Sequence, residues 1–184
     1  CTCIKGACFI TDTIFYDAIA NCLAESPEDG LCGTWGTQAT NYGVMPEWDT
    51  SRVTNMTGWN SYYVGFGGKS IFNGNISNWE TSRVTSMYRM FAGATKFNQD
   101  ISKWDVSRVT TMVGMFASID EFNQDISGWN TSQATSMDGM FREALFFNQD
   151  LSGWCVQNIE SLPDNFATGS GLSEVNYSIW GICL

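Results

Sequence analysis

A chain of 184 residues with 43% hydrophobic, 14% aromatic and 15% charged residues is long enough for one continuous core and too apolar for a disordered segment. Its net charge of −10, from 19 acidic and 9 basic residues, repels phosphate backbones and anionic headgroups, so nucleic acid is excluded as an expected partner. The same carboxylates keep a sticky protein soluble or attract cations, and the absence of histidine removes the commonest general base and zinc ligand.

From the N-terminus, Cys1, Cys3, Cys8, Cys22 and Cys32 crowd the first fifth of the chain, and Cys155 and Cys183 lie in the last. Without C-x-x-C pairs or histidine, disulfides fit better than zinc, with Cys3, Cys8, Cys22, Cys32, Cys155 and Cys183 as the expected participants. That usage predicts an extracellular, cell-surface or other oxidising secretory location. The odd count leaves Cys1 as the simplest unpaired thiol: free, bridged to another chain, or lipid-bearing. No signal peptide precedes it and no apolar run approaches the roughly 20 residues of a membrane span, so the chain reads as mature or trimmed, and soluble.

Within residues 1–47, Thr11 to Leu23 predicts a helix capped by Asp12 or Thr13, with Ile14, Phe15, Ala18, Ile19, Cys22 and Leu23 on one face. With the surrounding cysteines this forms a disulfide-stapled N-terminal cap, where each bridge contributes about 2–4 kcal/mol.

Residues 48–154 repeat. Trp79, Trp104, Trp129 and Trp154 are evenly spaced, and the same register carries Met87, Met112 and Met137; Phe91, Phe116 and Phe141; and Phe97, Phe122 and Phe147. An earlier copy starts at Trp48, farther from Trp79 than one period, so a short insertion falls near 57–70. Fitting L-x-x-L-x-L onto Ile101, Trp104 and Val106 predicts a short strand centred on 104–106, with Trp104 inward and Asp105 outward. Val109, Met112, Met115 and Phe116 follow at the spacing of a short helical turn buried on one face.

Residues 155–184 open as a repeat, "WCVQNIESLPDNF" from Trp154, but lose the "SRVT" signature and acquire Pro163. They read as a degenerate last coil and C-terminal cap, with Cys155 tied to Cys183 and Tyr177 and Trp180 drawn over the exposed core.

The pattern "WDVSRVTTMVGMFASIDEFNQDISGW" and its neighbours resemble the BspA-like leucine-rich repeat family, in the branch of surface proteins found in mycoplasmas, other bacteria and unicellular algae. The resemblance covers 48–154. It implies an α/β fold, a right-handed leucine-rich-repeat solenoid of about four 25-residue coils between disulfide-stapled caps, with adhesive or structural roles and no catalytic residue set.

The expected function is therefore a non-enzymatic secreted or cell-surface structural or adhesive module with a protein partner or scaffold, and no cofactor. The alternatives are a subunit of a larger extracellular or lumenal assembly, or a calcium-dependent carbohydrate- or mineral-binding protein. Interaction candidates are the insert aromatics Trp59, Tyr62, Tyr63 and Phe66, which are costly to leave exposed unless they pack on something, the N-terminal cap included. Stacked coils place Asp49, Glu80 and Asp105 in one outward ladder, a weak cation site or the neighbour of Arg52, Arg83 and Arg108. The recurring Asn98-Gln99-Asp100 offers calcium oxygens but lacks an EF-hand form, and amide bonds between turns are its plainer role. The Thr54, Thr85, Thr110 and Thr135 column lacks the repeated T-x-T pair of an ice-binding face. Four sequons, at Asn55, Asn75, Asn130 and Asn176, mark candidate glycosylation sites.

Overall fold

The computed structural model describes residues 3–4, 7–32, 44–58 and 65–183. The chain opens with β1 (Cys3–Ile4) and β2 (Ala7–Thr11), antiparallel with Cys3 opposite Cys8 in the backbone register, and β2 runs parallel to β3 (Asp49–Arg52). Between them α1 (Asp12–Glu25) buries Phe15, Ala18, Ile19, Cys22 and Leu23 as its periodicity predicts, while Ile14 is only partly covered. The helix carries no side-chain cap on its Thr11 N-cap. Asp12 turns outward instead: its carboxylate accepts the Thr54 N–H (2.7 Å), the Thr54 hydroxyl (2.5 Å) and the Asn55 N–H (3.1 Å). It thereby does for the first repeat what a preceding repeat does for the later ones, where Thr85, Thr110 and Thr135 donate to the carbonyls of Thr54, Thr85 and Thr110. A Cys22–Cys32 disulfide closes the loop after the helix.

From Trp48 onward, equivalent residues of successive repeats become neighbours. Parallel bridges join Asn55, Ser86, Thr111 and Ser136, one per repeat. Trp79, Trp104, Trp129 and Trp154 are each nearly buried and donate their Nε1–H to a carbonyl of the repeat before: Trp79 to Met45 at 2.9 Å, Trp104 to Ile76 and Trp129 to Ile101 at 3.2 Å, Trp154 to Ile126 at 3.1 Å. A buried indole N–H therefore has its partner. Phe66, Phe91, Phe116 and Phe141 form one stacked column with centroids 5.4 to 5.9 Å apart, and Phe72, Phe97, Phe122 and Phe147 a second at 5.8 to 6.1 Å. Burying one such ring stabilises by about 1.5–3 kcal/mol, so the columns carry the core.

The strand expected at 104–106 does not form. Asp100 and Asp105 accept the N–H groups of Ser102 and Ser107 at 2.9 Å, and Trp104 and Val109 donate back to Ile101 and Val106, which makes two consecutive turns. A short carboxylate offers the backbone a local partner that competes with a ladder. The inter-repeat ladder lies instead in the segment where a helical turn was expected. There Met87, Arg89, Phe91 and Gly93 donate to the carbonyls of Thr111, Val113, Met115 and Ala117 in the next repeat. Met90, Ala92 and Ala94, between and after them, donate back to Met87, Arg89 and Phe91 within their own turn. Val109, Met112, Met115 and Phe116 are nonetheless fully buried.

The insertion and the last repeat are both legible in this ladder. Met56 and Gly58 donate to Ser86 and Tyr88, whereas Gly68 donates to Ala92, a much shorter step along the chain, so the inserted residues lie between Gly58 and Gly68. In the last repeat the step lengthens by one, as Gly139, Phe141 and Glu143 donate to Asp164, Phe166 and Thr168. One extra residue beside Pro163 has entered, and Asn165 and Gly169 take the backbone places of Gly139 and Glu143. Tyr177 and Trp180 pack edge-on against Phe166, and Cys155 is bonded to Cys183, as expected.

Candidate functional site

Among the expected interaction residues, Trp59, Tyr62 and Tyr63 lie outside the described residues. Phe66 is a correction: it is wholly buried, stacked on Phe72 at 4.4 Å, because the repeat register resumes close enough behind it to place it in the first phenylalanine column.

Asp49, Glu80 and Asp105, with Asn130 after them, hold the same local place in successive repeats, each accepting the backbone N–H two residues on: Ser51, Ser82, Ser107 and Ser132, at 2.9 to 3.2 Å. The hydrogen bonds from Ser107 hold Asp105 below its usual carboxylate range, with Arg108 adding a smaller pull. Arg52 sits over the Phe9 ring at 4.0 Å. Among the described residues no three carboxylates or cysteines converge as a metal would need.

The Asn-Gln-Asp triplets are hydrogen-bonded throughout. The amide oxygens of Asn73, Asn98 and Asn123 accept the N–H of Asn98, Asn123 and Asn148 at 2.9 to 3.0 Å, and Gln99, Gln124 and Gln149 donate to the same asparagines. Asp100, Asp125 and Asp150 accept from Ser102, Ser127 and Ser152, bonds that lower all three carboxyls. The threonine column faces backbone carbonyls as well, at 3.0 to 3.2 Å.

The sequons divide. Asn75 and Asn130 are exposed, whereas Asn55 is half-buried in the bridge to Ser86 and Asn176 is half-buried with its Nδ2 on the Asn148 oxygen at 3.0 Å. Of the six expected disulfide cysteines, Cys22, Cys32, Cys155 and Cys183 are bonded in two pairs; Cys3 lies opposite Cys8 in backbone register, and the side chains of these two lie outside the described residues.

The site that sequence reasoning missed is an open groove of about 540 Å³ running across four repeats. Its floor is Gly93, Gly114 and Gly139 with Ala92 and Ala117, and its polar groups are Arg89, Ser118, Asp138, Arg142, Asp164 and Asn165. A second hollow of about 320 Å³ shares Asp138 and Asp164 and continues toward Asn158 and Glu160. The Arg89 side chain lies along the floor, beside the Tyr88 ring (5.4 Å) and so close over Gly114 that a Cβ there would meet its Cγ at 3.1 Å. Asp138 is held by the Ser136 hydroxyl (3.0 Å) and the Asp164 N–H (3.1 Å). Neither guanidinium pairs with a carboxylate; the ion pair among the described residues is Lys96–Glu121, elsewhere, and it raises the lysine.

The ladder explains why these residues surround a hollow. Each of the four repeats from Trp79 onward turns twice through left-handed backbone, at Arg89 and Gly93, Gly114 and Ser118, Gly139 and Glu143, Asn165 and Gly169. The signal in the sequence was negative: these places, with 88/113/138 and 92/117/142, are among those where the repeats disagree.

Among the described residues no helix is long and apolar enough to cross a membrane, and two disulfides fit an extracellular or otherwise oxidising compartment. No curated protein and no solved structure matches the chain. Over residues 60–180 it matches the family described as "Mycoplasma protein of unknown function, DUF285", and with that span the chain belongs to this family.

Proposed function

We propose that the protein is a non-enzymatic repeat protein of the extracellular space or cell surface, a BspA-like leucine-rich-repeat solenoid that adheres through its groove. The observation that carries this is the contrast in hydrogen bonding: the residues that repeat are bonded to the neighbouring repeat, while Arg89, Arg142, Asp164 and Asn165 gather around one open hollow with no side-chain hydrogen bond of their own. Groups so placed are free to bond to another molecule. The two disulfides support the compartment, and family membership supports the repeat architecture.

The test is retention of beads coated with the full chain on surface material from its source. Arg89→Ser with Asp138→Asn should abolish retention while leaving the circular-dichroism melt in place; unchanged retention would overturn the assignment to the groove. Assembly into a larger extracellular complex is the second reading, and a strict monomer in native extracts would eliminate it.

A further inference from the structure

We propose that the groove is a binding site for an oligosaccharide bearing carboxylates, of the uronic-acid class; this rests on the groove being the contact surface. The first observation is backbone strain. Arg89, Ser118, Glu143 and Asn165 hold φ between 50° and 59°, the left-handed region that disfavours most side chains and asparagine least, at places where other repeats use Gly93, Gly114, Gly139 and Gly169. Glycine would serve each turn without strain, so Arg89, Ser118 and Glu143 are kept at a cost in stability, and Asn165 at a smaller one. Arg89, Ser118 and Asn165 line the groove, and Glu143 holds the Ser118 hydroxyl at 2.7 Å. Strained residues gathered around one hollow point to a ligand.

The chemistry of the walls selects its class. The guanidiniums of Arg89 and Arg142 lack carboxylates, and a planar guanidinium is matched bidentately by a ligand carboxylate. Asp138, Asp164 and Asn165 supply acceptors and an amide for hydroxyl groups. A protein partner is disfavoured: the groove is lined by no aromatic side chain and by no aliphatic one larger than the half-exposed Val113, with the exposed Leu162 only in the adjoining hollow, and the backbone donors of Arg89, Gly114 and Gly139 are already bonded to Val113, Asp138 and Asp164, leaving no edge for an added strand. Its volume of about 540 Å³ lies within the range of roughly 300–1,000 Å³ for small-ligand sites. The net charge of −10 works against a densely charged polyanion and leaves the sparser charge of a carboxylate sugar as the better fit.

The experiment titrates the full chain with trigalacturonate and with its methyl ester, the same chain without charge, by calorimetry, and records melting temperatures alongside. Binding of the acid form should saturate, and the ester should bind about tenfold more weakly or worse, the size of one charge-assisted bond lost. Arg89→Gly and Arg142→Ala should show the same loss with the acid form. Asn165→Gly should weaken binding while its melting temperature holds or rises, a combination that a purely structural residue does not give. Equal affinity for acid and ester, or a falling melting temperature with binding intact in Asn165→Gly, would overturn the proposal. Absence of trigalacturonate binding while Arg89→Ser with Asp138→Asn still abolishes bead retention would reject the ligand class and leave the groove as the adhesive surface.

Discussion

The two halves of each repeat obey different rules. In the half from Phe97 to Met112 the Phe-Asn-Gln-Asp stretch and the Trp, Ser, Thr and Met positions recur, and their polar groups are bonded within the turn or to the repeat beside it: tryptophan to carbonyl, asparagine to N–H, threonine to threonine. In the half from Val113 to Glu121 the backbone ladder persists while the side chains change, Tyr88 to Val113 to Asp138 and Gly93 to Ser118 to Glu143. Repetition within one chain therefore marks groups that serve the stack, and the polar side chains that line the groove come from positions where it fails. Substitutions should separate the halves by size of effect.

The largest effect belongs to the repeated half. Trp104→Ala removes a buried ring stacked on Trp79 at 6.4 Å and leaves the Ile76 carbonyl without its donor. It should cost about 3–5 kcal/mol in urea unfolding. Trp104→Phe keeps part of the ring volume and isolates the lost hydrogen bond, at about 1–3 kcal/mol. If both variants unfold at the wild-type urea midpoint, the indoles are not holding the stack.

Next is the seam between helix and repeats. Asp12→Ala strands the Thr54 and Asn55 N–H groups together, both part-buried, and should cost about 1–3 kcal/mol with early loss of amide protection at the N-terminal edge. Asp12→Asn, which keeps one acceptor oxygen, should restore a good part of it. Uniform exchange along the whole chain in Asp12→Ala would show that the first repeat does not depend on this carboxylate.

What was legible in the sequence follows the same division. The repeat period identified Trp104, Met112, Met115 and Phe116 as core because a residue that recurs in every repeat meets its own copies. The strand at 104–106 was misplaced because hydrophobic spacing does not report that Asp100 and Asp105 close local turns first. Phe66 looked like a loop residue because its insertion has no counterpart in other repeats, and only the return of the ladder at Gly68 shows it in the Phe91 column. The groove was illegible for a physical reason: left-handed backbone is usually signalled by glycine, and here Arg89, Ser118, Glu143 and Asn165 occupy it instead.

A smaller effect distinguishes charge from geometry in the repeated half. Asp100, Asp125 and Asp150 have carboxyls lowered by the hydroxyl and N–H of the serine two residues on. A group lowered in the folded state contributes stability that is present above its unfolded value and is lost as pH falls through the folded one, so acid should weaken the stack over the pH range below about 4. Asn75 occupies the same place in the preceding repeat and accepts the Ser77 N–H at 3.0 Å without charge. Replacing all three aspartates by asparagine should leave the neutral-pH melt nearly unchanged and flatten its acid limb. An acid limb as steep as wild type would assign the sensitivity to other carboxylates.

The smallest effect has the opposite sign and lies in the variable half. Glu143 sits at φ 59°, is exposed, and holds the Ser118 hydroxyl, while Gly93 and Gly169 occupy the same backbone place at φ 74°. Glu143→Gly relieves left-handed strain of about 1 kcal/mol or somewhat more and gives back part of it as added freedom of the unfolded chain, for a net gain below about 1 kcal/mol. The hydrogen bond it removes is exposed and competes with water, so it offsets little of this. A melt raised by a few degrees, beside the losses in Trp104→Ala and Asp12→Ala, would set the two halves on opposite sides of zero. A fall instead would mean that Glu143 and Ser118 brace the turn, and that the variable half is scaffold after all.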